Sequence, residues 1–203
     1  MKRCSFVLRS AVVGLLLAGG AVAPAQAKQS ATRVDTSSCQ NPLLSQPFLA
    51  SGDQNEYALL PGETPGSFNG AGWTLFGGAH VSTAPLAGGG TTSVLDLPSG
   101  SAAVSPMVCV TSDYPTARGM VRDVSGSEGV SFYTWYEATK RWQMPKNGGQ
   151  LSGKDSDWTL SDPVNLQPSE APGWQPVRFM LVPGGQSSEF QIYDLYIDPH
   201  MMR

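Results

Sequence analysis

The stretch Val130-Ser131-Phe132-Tyr133-Thr134-Trp135-Tyr136-Glu137 carries the side chains best suited to hold a ligand. In an extended chain successive side chains point to opposite faces. Phe132, Thr134 and Tyr136 therefore share one face, and Tyr133, Trp135 and Glu137 share the other. With the first face in a core, the second presents two aromatic rings beside a carboxylate. Sugars offer C–H-rich faces that pack on rings and hydroxyls that bond to polar groups, and rings with a few polar groups are a common binding-site lining. The competing reading buries both faces and places Tyr133 and Trp135 in a satellite core. Trp142, Trp158 and Trp174 fall in a loop-rich region, where they either wall a groove together or each pack a loop onto a sheet. Trp73, in a tight strand, reads as core.

Catalytic constellations are scarce. Beyond the N-terminal segment the only histidines are His80 and His200. No G-x-S-x-G elbow, H-E-x-x-H helix or phosphate loop occurs. A glycoside hydrolase needs two carboxylates about 5 to 9.5 Å apart, and Glu137 is the only glutamate beside an aromatic surface.

The start of the chain bears on compartment. Lys2, Arg3 and Arg9 precede an apolar run from Ala11 to Ala23, and Ala25-Gln26-Ala27 is a small-x-small cleavage site. That order is a secretory signal peptide over residues 1–27, and its apolar run is shorter than the roughly 20 residues a membrane helix needs. Of 13 Lys and Arg, three lie before the cleavage site, leaving ten against 16 Asp and Glu, a net charge of −6. That balance opposes nucleic acid and anionic lipid as partners. Cys39 and Cys109 remain after cleavage, and two cysteines in an exported chain have one intramolecular connectivity. Their spacing is a poor metal pattern.

These side chains need sheets to position them. Glycine and proline are frequent, 23 and 16 residues, and no stretch carries a 3.6-residue apolar stripe. Short runs between turn residues predict an all-β sandwich with few or no helices. Residues 28–38 read as a flexible leader and 39–200 as a single β domain. Expected strands include Glu56–Leu60, Gly72–Phe76, Ser93–Leu97, Ser101–Val110 interrupted at Pro106, and Trp158–Leu166. Thr116–Val124 and Gly129–Thr139 are expected to pair as a hairpin. So are the two arms of Pro176–Pro199, around Pro183-Gly184-Gly185. In the second arm Phe190 and Ile192 fall in one phase and Leu195 and Ile197 in the other. This slip predicts a β-bulge near Tyr193-Asp194, or a strand covered on both faces. Residues 140–175 read as the least regular part.

The words Ser45-Gln46-Pro47-Phe48, Gly72-Trp73-Thr74-Leu75, Val177-Arg178-Phe179 and Gln191-Ile192-Tyr193-Asp194-Leu195-Tyr196-Ile197-Asp198-Pro199 resemble a group of secreted actinobacterial proteins of unknown function. The likeness spans most of Cys39 to Pro199 and implies no activity. At lower resolution the layout resembles jelly-roll, galactose-binding-like carbohydrate-binding modules, with Ile192-Tyr193-Asp194-Leu195 resembling their closing strand. That likeness implies a structural calcium with Asp194 among its ligands. Asp53, Asn55 and Glu56 form one oxygen-rich turn, and Asp155-x-Asp157 another. Calcium takes six to eight oxygens, and solvated loop carboxylates are the competing reading. No other cofactor is implied.

The sequence thus predicts a secreted, non-catalytic binding protein that contacts a carbohydrate or cell-surface polymer through Tyr133, Trp135 and Glu137. The alternatives are a structural or interaction protein of the cell envelope, and a glycan-active enzyme using Glu137. The ligand and the oligomeric state are not encoded in any motif.

Overall fold

The computed structural model describes residues 34–199, apart from residues 114, 127, 139–140, 143–144, 154–155 and 170–171 and the side chains of 138, 141 and 142. The expected signal peptide, most of the expected leader, Asp155 and His200 lie outside the described residues. The strands are β1 (Ala58–Leu59), β2 (Glu63–Thr64), β3 (Ser67–Phe68), β4 (Thr74–Phe76), β5 (His80–Pro85), β6 (Thr91–Pro98), β7 (Ala102–Val104), β8 (Val108–Val110), β9 (Thr116–Ser125), β10 (Val130–Ala138), β11 (Arg141–Trp142), β12 (Lys146–Leu151), β13 (Thr159–Leu160), β14 (Val164–Asn165), β15 (Gln175–Pro183) and β16 (Glu189–Asp198). The only helical turn among the described residues is a 3₁₀ turn at Leu49–Ser51, and none of their helices is long and apolar enough to cross a membrane.

Two seven-stranded antiparallel sheets form a β-sandwich, as the turn-punctuated runs predict. Sheet I runs β13-β9-β16-β6-β5, with β1 on β16 and β14 on β9; sheet II runs β11-β10-β15-β7-β4, with β12 on β10 and β8 on β15. The core between them draws Leu95, Leu97, Val121, Phe190 and Ile192 from sheet I, and Val130, Phe132, Phe179 and Leu181 from sheet II.

Both expected hairpins are overturned. β15 pairs with β10, β7 and β8, whereas β16 pairs with β9, β6 and β1. Pro183-Gly184-Gly185 therefore carries the chain across the sandwich from one sheet to the other. β9 and β10 are likewise in opposite sheets. The physical reason is shared: alternation fixes which side of a strand is buried, and two strands that bury one side against the same core can lie beside each other or face each other. Residues 146–151 are a second correction. The Asn147-Gly148-Gly149 segment, read as irregular, is strand β12, and its register on β10 shifts between Phe132 and Tyr133.

The expected bulge is present in β16. Its register on β9 shifts between Tyr193 and Tyr196, and Asp194 has φ of 52°. The extra residue returns Leu195 and Ile197 to the core after Phe190 and Ile192. Gly119 lies beneath this kink. A Cβ there would stand 3.1 Å from Leu195 Cδ1 and 3.3 Å from the Asp194 carbonyl oxygen, closer than ordinary van der Waals contact, so a side chain would press on the kink. Cys39 and Cys109 form a disulfide with Cα atoms 5.7 Å apart, tying the N-terminal segment to β8. A bridge of this kind fits an oxidising compartment.

Candidate functional site

β10 alternates as expected from its residue types. Val130, Phe132, Thr134 and Tyr136 are buried, while Ser131, Tyr133 and Trp135 are half-buried and Glu137 is exposed. Phe132 meets Phe179 with ring centroids 5.0 Å apart, and the Tyr136 hydroxyl donates to the Leu166 carbonyl at 2.8 Å. These contacts fix the inner face and turn Tyr133, Trp135 and Glu137 outward.

Register then decides what joins them. Trp135 lies directly opposite Arg178, and Tyr133 opposite Met180. Trp135, Glu137 and Arg178 line an open pocket of ≈ 260 Å³ with Met107, Pro176 and Val177. That volume is just below the ~300–1,000 Å³ of drug-sized sites, a size for one ring or a short section of a longer chain. Tyr133 shares the face but is not among the lining residues. Among the described residues, Glu137 is the only carboxylate in the lining.

The same face continues across the sheet in two rows. Asn147, Tyr133, Met180, Val104 and Thr74 are successive cross-strand partners, and so are Gln150, Ser131 and Val182. Phe76, opposite Ala102 on β4, is half-exposed. This face is mixed: Tyr133, Met180, Val182 and Val104 are apolar or aromatic, Arg178 and Ser131 lie among them on the middle strands, and Phe76 stands on the edge strand β4.

The other aromatic candidates go elsewhere. Trp158 packs edge-on against Tyr193 of sheet I at 4.6 Å and donates its ring N–H to the Pro85 carbonyl at 2.7 Å. It therefore does not wall a common groove with Trp135. Trp73 is in the core, edge-on to Phe68, as its tight strand predicts. Trp174 is half-buried in the loop before β15, and the Trp142 side chain lies outside the described residues. His80 is exposed, with its Nδ1 2.9 Å from the Gly78 carbonyl oxygen.

Asp53 and Asp194 sit in separate hydrogen-bond networks. Asp53 pairs with the Arg118 guanidinium and accepts from the Tyr57 hydroxyl at 2.7 Å and the Asn55 N–H at 3.0 Å. Burial pushes its carboxyl up, but these bonds together outweigh burial and hold it below the usual range. Burial, then the Asp53 hydrogen bond, pushes the Tyr57 hydroxyl up to about 12. Arg118 also donates to the Ser161 carbonyl at 2.8 and 3.1 Å and lies 5.4 Å above the Phe48 ring. With its charge already met by Arg118, Asp53 does not fit a cation ligand.

Asp194 accepts the Gly66 N–H at 2.6 Å. Its electrostatic neighbour is Glu63 on β2, which accepts the Leu195 N–H at 3.0 Å through Oε2. The Glu63 stem is partly exposed, but Oε1 is sealed from solvent and has no hydrogen-bond partner among the described residues. Burial pushes the Glu63 carboxyl well above its usual range and the Asp194 charge adds to this, while bonds from the Leu195 and Asp194 N–H groups oppose it. Burial also raises Asp194, against its bond from Gly66. Glu63 and Asp194 thus bring two carboxylates together, and no group of three or more His, Cys, Asp or Glu suited to a metal occurs among the described residues.

Sequence reasoning missed Arg178, Met107 and Glu63. Arg178 was readable as an outward residue of its strand, but not as the partner of Trp135. Met107 and Glu63 carried no signal.

No family model matches the chain, and no curated protein matches it. Solved structures do. The CBM22-1 xylan-binding domain from Paenibacillus barcinonensis Xyn10C is 15% identical, with 64% of this chain and 88% of that one covered and a TM-score of 0.42. The family 11 carbohydrate-binding module of the Clostridium thermocellum cellulase Lic26A-Cel5E is 10% identical, covering 74% and 99% at a TM-score of 0.40. TmCBM61, solved with β-1,4-galactotriose, is 12% identical, covering 66% and 92% at 0.39. Likeness at these scores does not bear on what this chain binds.

Proposed function

We propose that this is an exported, non-catalytic protein that contacts a carbohydrate or cell-surface polymer through the outer face of sheet II. The observation that supports it most is the pocket that joins Trp135, Glu137 and Arg178. The indole supplies a flat apolar surface for the C–H side of a sugar ring. Glu137 accepts from hydroxyls, and the Arg178 fork donates to them in fixed geometry. Tyr133, Met180 and Val182 extend the apolar contact away from the pocket. A single lining carboxylate among the described residues supports binding over hydrolysis, which commonly uses two. Export is supported by the N-terminal charge, apolar run and cleavage site, together with the disulfide.

The test is a panel of soluble neutral polysaccharides in affinity electrophoresis, followed by calorimetry, with Trp135→Ala as control. Retention by at least one glycan, lost in Trp135→Ala, is expected. No retention by any member would turn the reading to the alternative, an envelope protein with no small ligand.

A second reading follows from the orphaned Glu63 oxygen. A structural calcium ion would be held by Glu63 and Asp194, with backbone carbonyls and water completing its oxygen set. It would neutralise two crowded carboxylates and pin β2 to the bulge of β16. Adding calcium after EDTA treatment should raise the melting temperature of the wild type and not of Glu63→Gln. Equal melting with and without the ion would remove it.

A further inference from the structure

We propose that Ser105 and the Cys39–Cys109 disulfide are positioning groups for the pocket, holding Met107 as a raised wall beside Trp135. As a role in ligand binding, this rests on the glycan reading of that pocket. The ladder between β7 and β15 does not simply continue into β8. Ser105 is 1% exposed. Its N–H donates to the Phe179 carbonyl at 2.9 Å. The Phe179 N–H then donates to the Ser105 hydroxyl oxygen at 2.9 Å, and that hydroxyl donates to the Pro106 carbonyl at 2.8 Å. A side chain thus takes the place of a main-chain acceptor. The chain lifts at Pro106, and Met107 stands 37% exposed among the pocket's lining residues.

Beyond Met107 the chain returns to the sheet through a short ladder. β8 has three residues, and its middle residue, Cys109, lies opposite Pro176. Proline has no N–H, so this is a non-hydrogen-bonded pair, and the ladder's bonds lie at the flanking positions Val108 and Val110. The bond to Cys39 holds β8 at that pair. Met107 is therefore bracketed by a hydroxyl two residues before it and a covalent tie two residues after it. Both serve to keep in place a wall that would otherwise flatten or fray, and an ordered wall lowers the entropy lost when a ligand binds.

The test reads the pocket without a ligand. In full mature protein carrying ¹⁵N-tryptophan and ¹³C-methyl methionine, the Trp135 indole and Met107 methyl cross-peaks are assigned from Trp135→Phe and Met107→Leu. Ser105→Ala and the pair Cys39→Ser with Cys109→Ser should shift and broaden both signals, while the Trp73 indole stays in place. Ser105→Ala alone carries the test if the cysteine variant does not fold. Leu97→Ala, a core truncation in sheet I, should lower the melting temperature without moving either signal. Unmoved Trp135 and Met107 signals in the Ser105 and cysteine variants would overturn the positioning role and leave glycan binding untouched. Failure of the wild type to bind any glycan would sink the glycan reading and leave these signals to decide the positioning role.

Discussion

Phe132 and Trp135 lie three residues apart on one strand, and truncating each should give opposite phenotypes. Phe132 is fully buried, with its ring 5.0 Å from Phe179. Phe132→Ala removes a core ring and leaves a cavity, a loss of about 3–5 kcal/mol. At about 2–4 °C per kcal/mol for a chain of this size, the melting temperature should fall by roughly 6–20 °C. Trp135 is half-buried on the opposite face, so Trp135→Ala should lose only part of its apolar burial, about 1–2 kcal/mol. Its larger effect should be on ligand. An aromatic anchor at the centre of a contact typically contributes about 2–4 kcal/mol, which is roughly 30- to 700-fold in affinity. Urea denaturation gives the first quantity and calorimetry with a retained polysaccharide gives the second. Phe132→Leu should keep both folding and binding. If Trp135→Ala is as destabilising as Phe132→Ala, the two side chains do not face different environments. If Trp135→Ala binds normally, the indole is not the anchor.

Three further outcomes are expected. Asp53→Asn leaves the Arg118 charge without its partner in a site where the two side chains are 11% and 13% exposed. It should cost about 2–3 kcal/mol, less than a fully sealed pair, and a double-mutant cycle with Arg118→Met should show coupling beyond the ~0.5 kcal/mol scatter of independent sites. Because the Asp53 carboxyl is depressed in the fold, its stabilisation is complete above the unfolded value near ~3.9 and is lost as pH falls through the lower folded value. Denaturation of wild type and Asp53→Asn should therefore converge below pH ~4, and a constant difference there would contradict the pairing. Reducing Cys39–Cys109 releases a loop with a sequence separation of 70, and the chain-entropy model gives about 4 kcal/mol for that length; thiol titration of the native protein should find no free cysteine beyond the signal peptide. Gly119→Ala places a Cβ 3.1 Å from Leu195 and should cost about 1–3 kcal/mol by overpacking, with wild-type stability as the contrary result.

What the sequence revealed was what alternation and counting can carry. The outward set Tyr133, Trp135 and Glu137 follows from side-chain period alone, and so does the phase slip that becomes the Asp194 bulge. Cys39 and Cys109 had only each other. The pocket needed more. Arg178 meets Trp135 because β15 and β10 pair in one register, with about 40 residues between them, and no local pattern encodes that choice. The same gap explains the overturned hairpins, since β15 and β16 bury apolar sides toward one core from opposite sheets. Asp53 is tied to Arg118 across 65 positions and Leu195 to Glu63 across 132. Those partners were set by folding, so an acidic turn in sequence became an ion pair, and the carboxylate beside Asp194 came from an unremarked strand.

The contrast between the two outer faces carries the choice of binding surface. In sheet I several residues out of phase with the inner face are nonetheless buried, Asp96, Gln191, Tyr193 and Tyr196, while Arg118, Met120 and Arg122 are half-buried. Gln191 donates to Asp96 at 2.9 Å, Ser82 does so at 3.0 Å, and Arg122 reaches the Ser156 carbonyl at 2.8 Å. Trp158 sits on Tyr193, while Phe48 and Tyr57 join Tyr196 under the Asp53–Arg118 pair. The N-terminal segment and the loop before β13 thus roof that sheet, and their polar groups are satisfied within the chain. In sheet II the corresponding residues Tyr133, Trp135, Arg178, Met180 and Val182 remain half-buried, and Phe76 is exposed. Leaving apolar side chains in water is unfavourable by roughly 25 cal/mol per Å², and among the described residues the chain packs its own aromatic residues over the β16 part of sheet I but not over Tyr133, Met180 and Phe76 of sheet II. A ligand that supplied C–H surface to sheet II would recover that hydration cost at a face already ordered by the core beneath it.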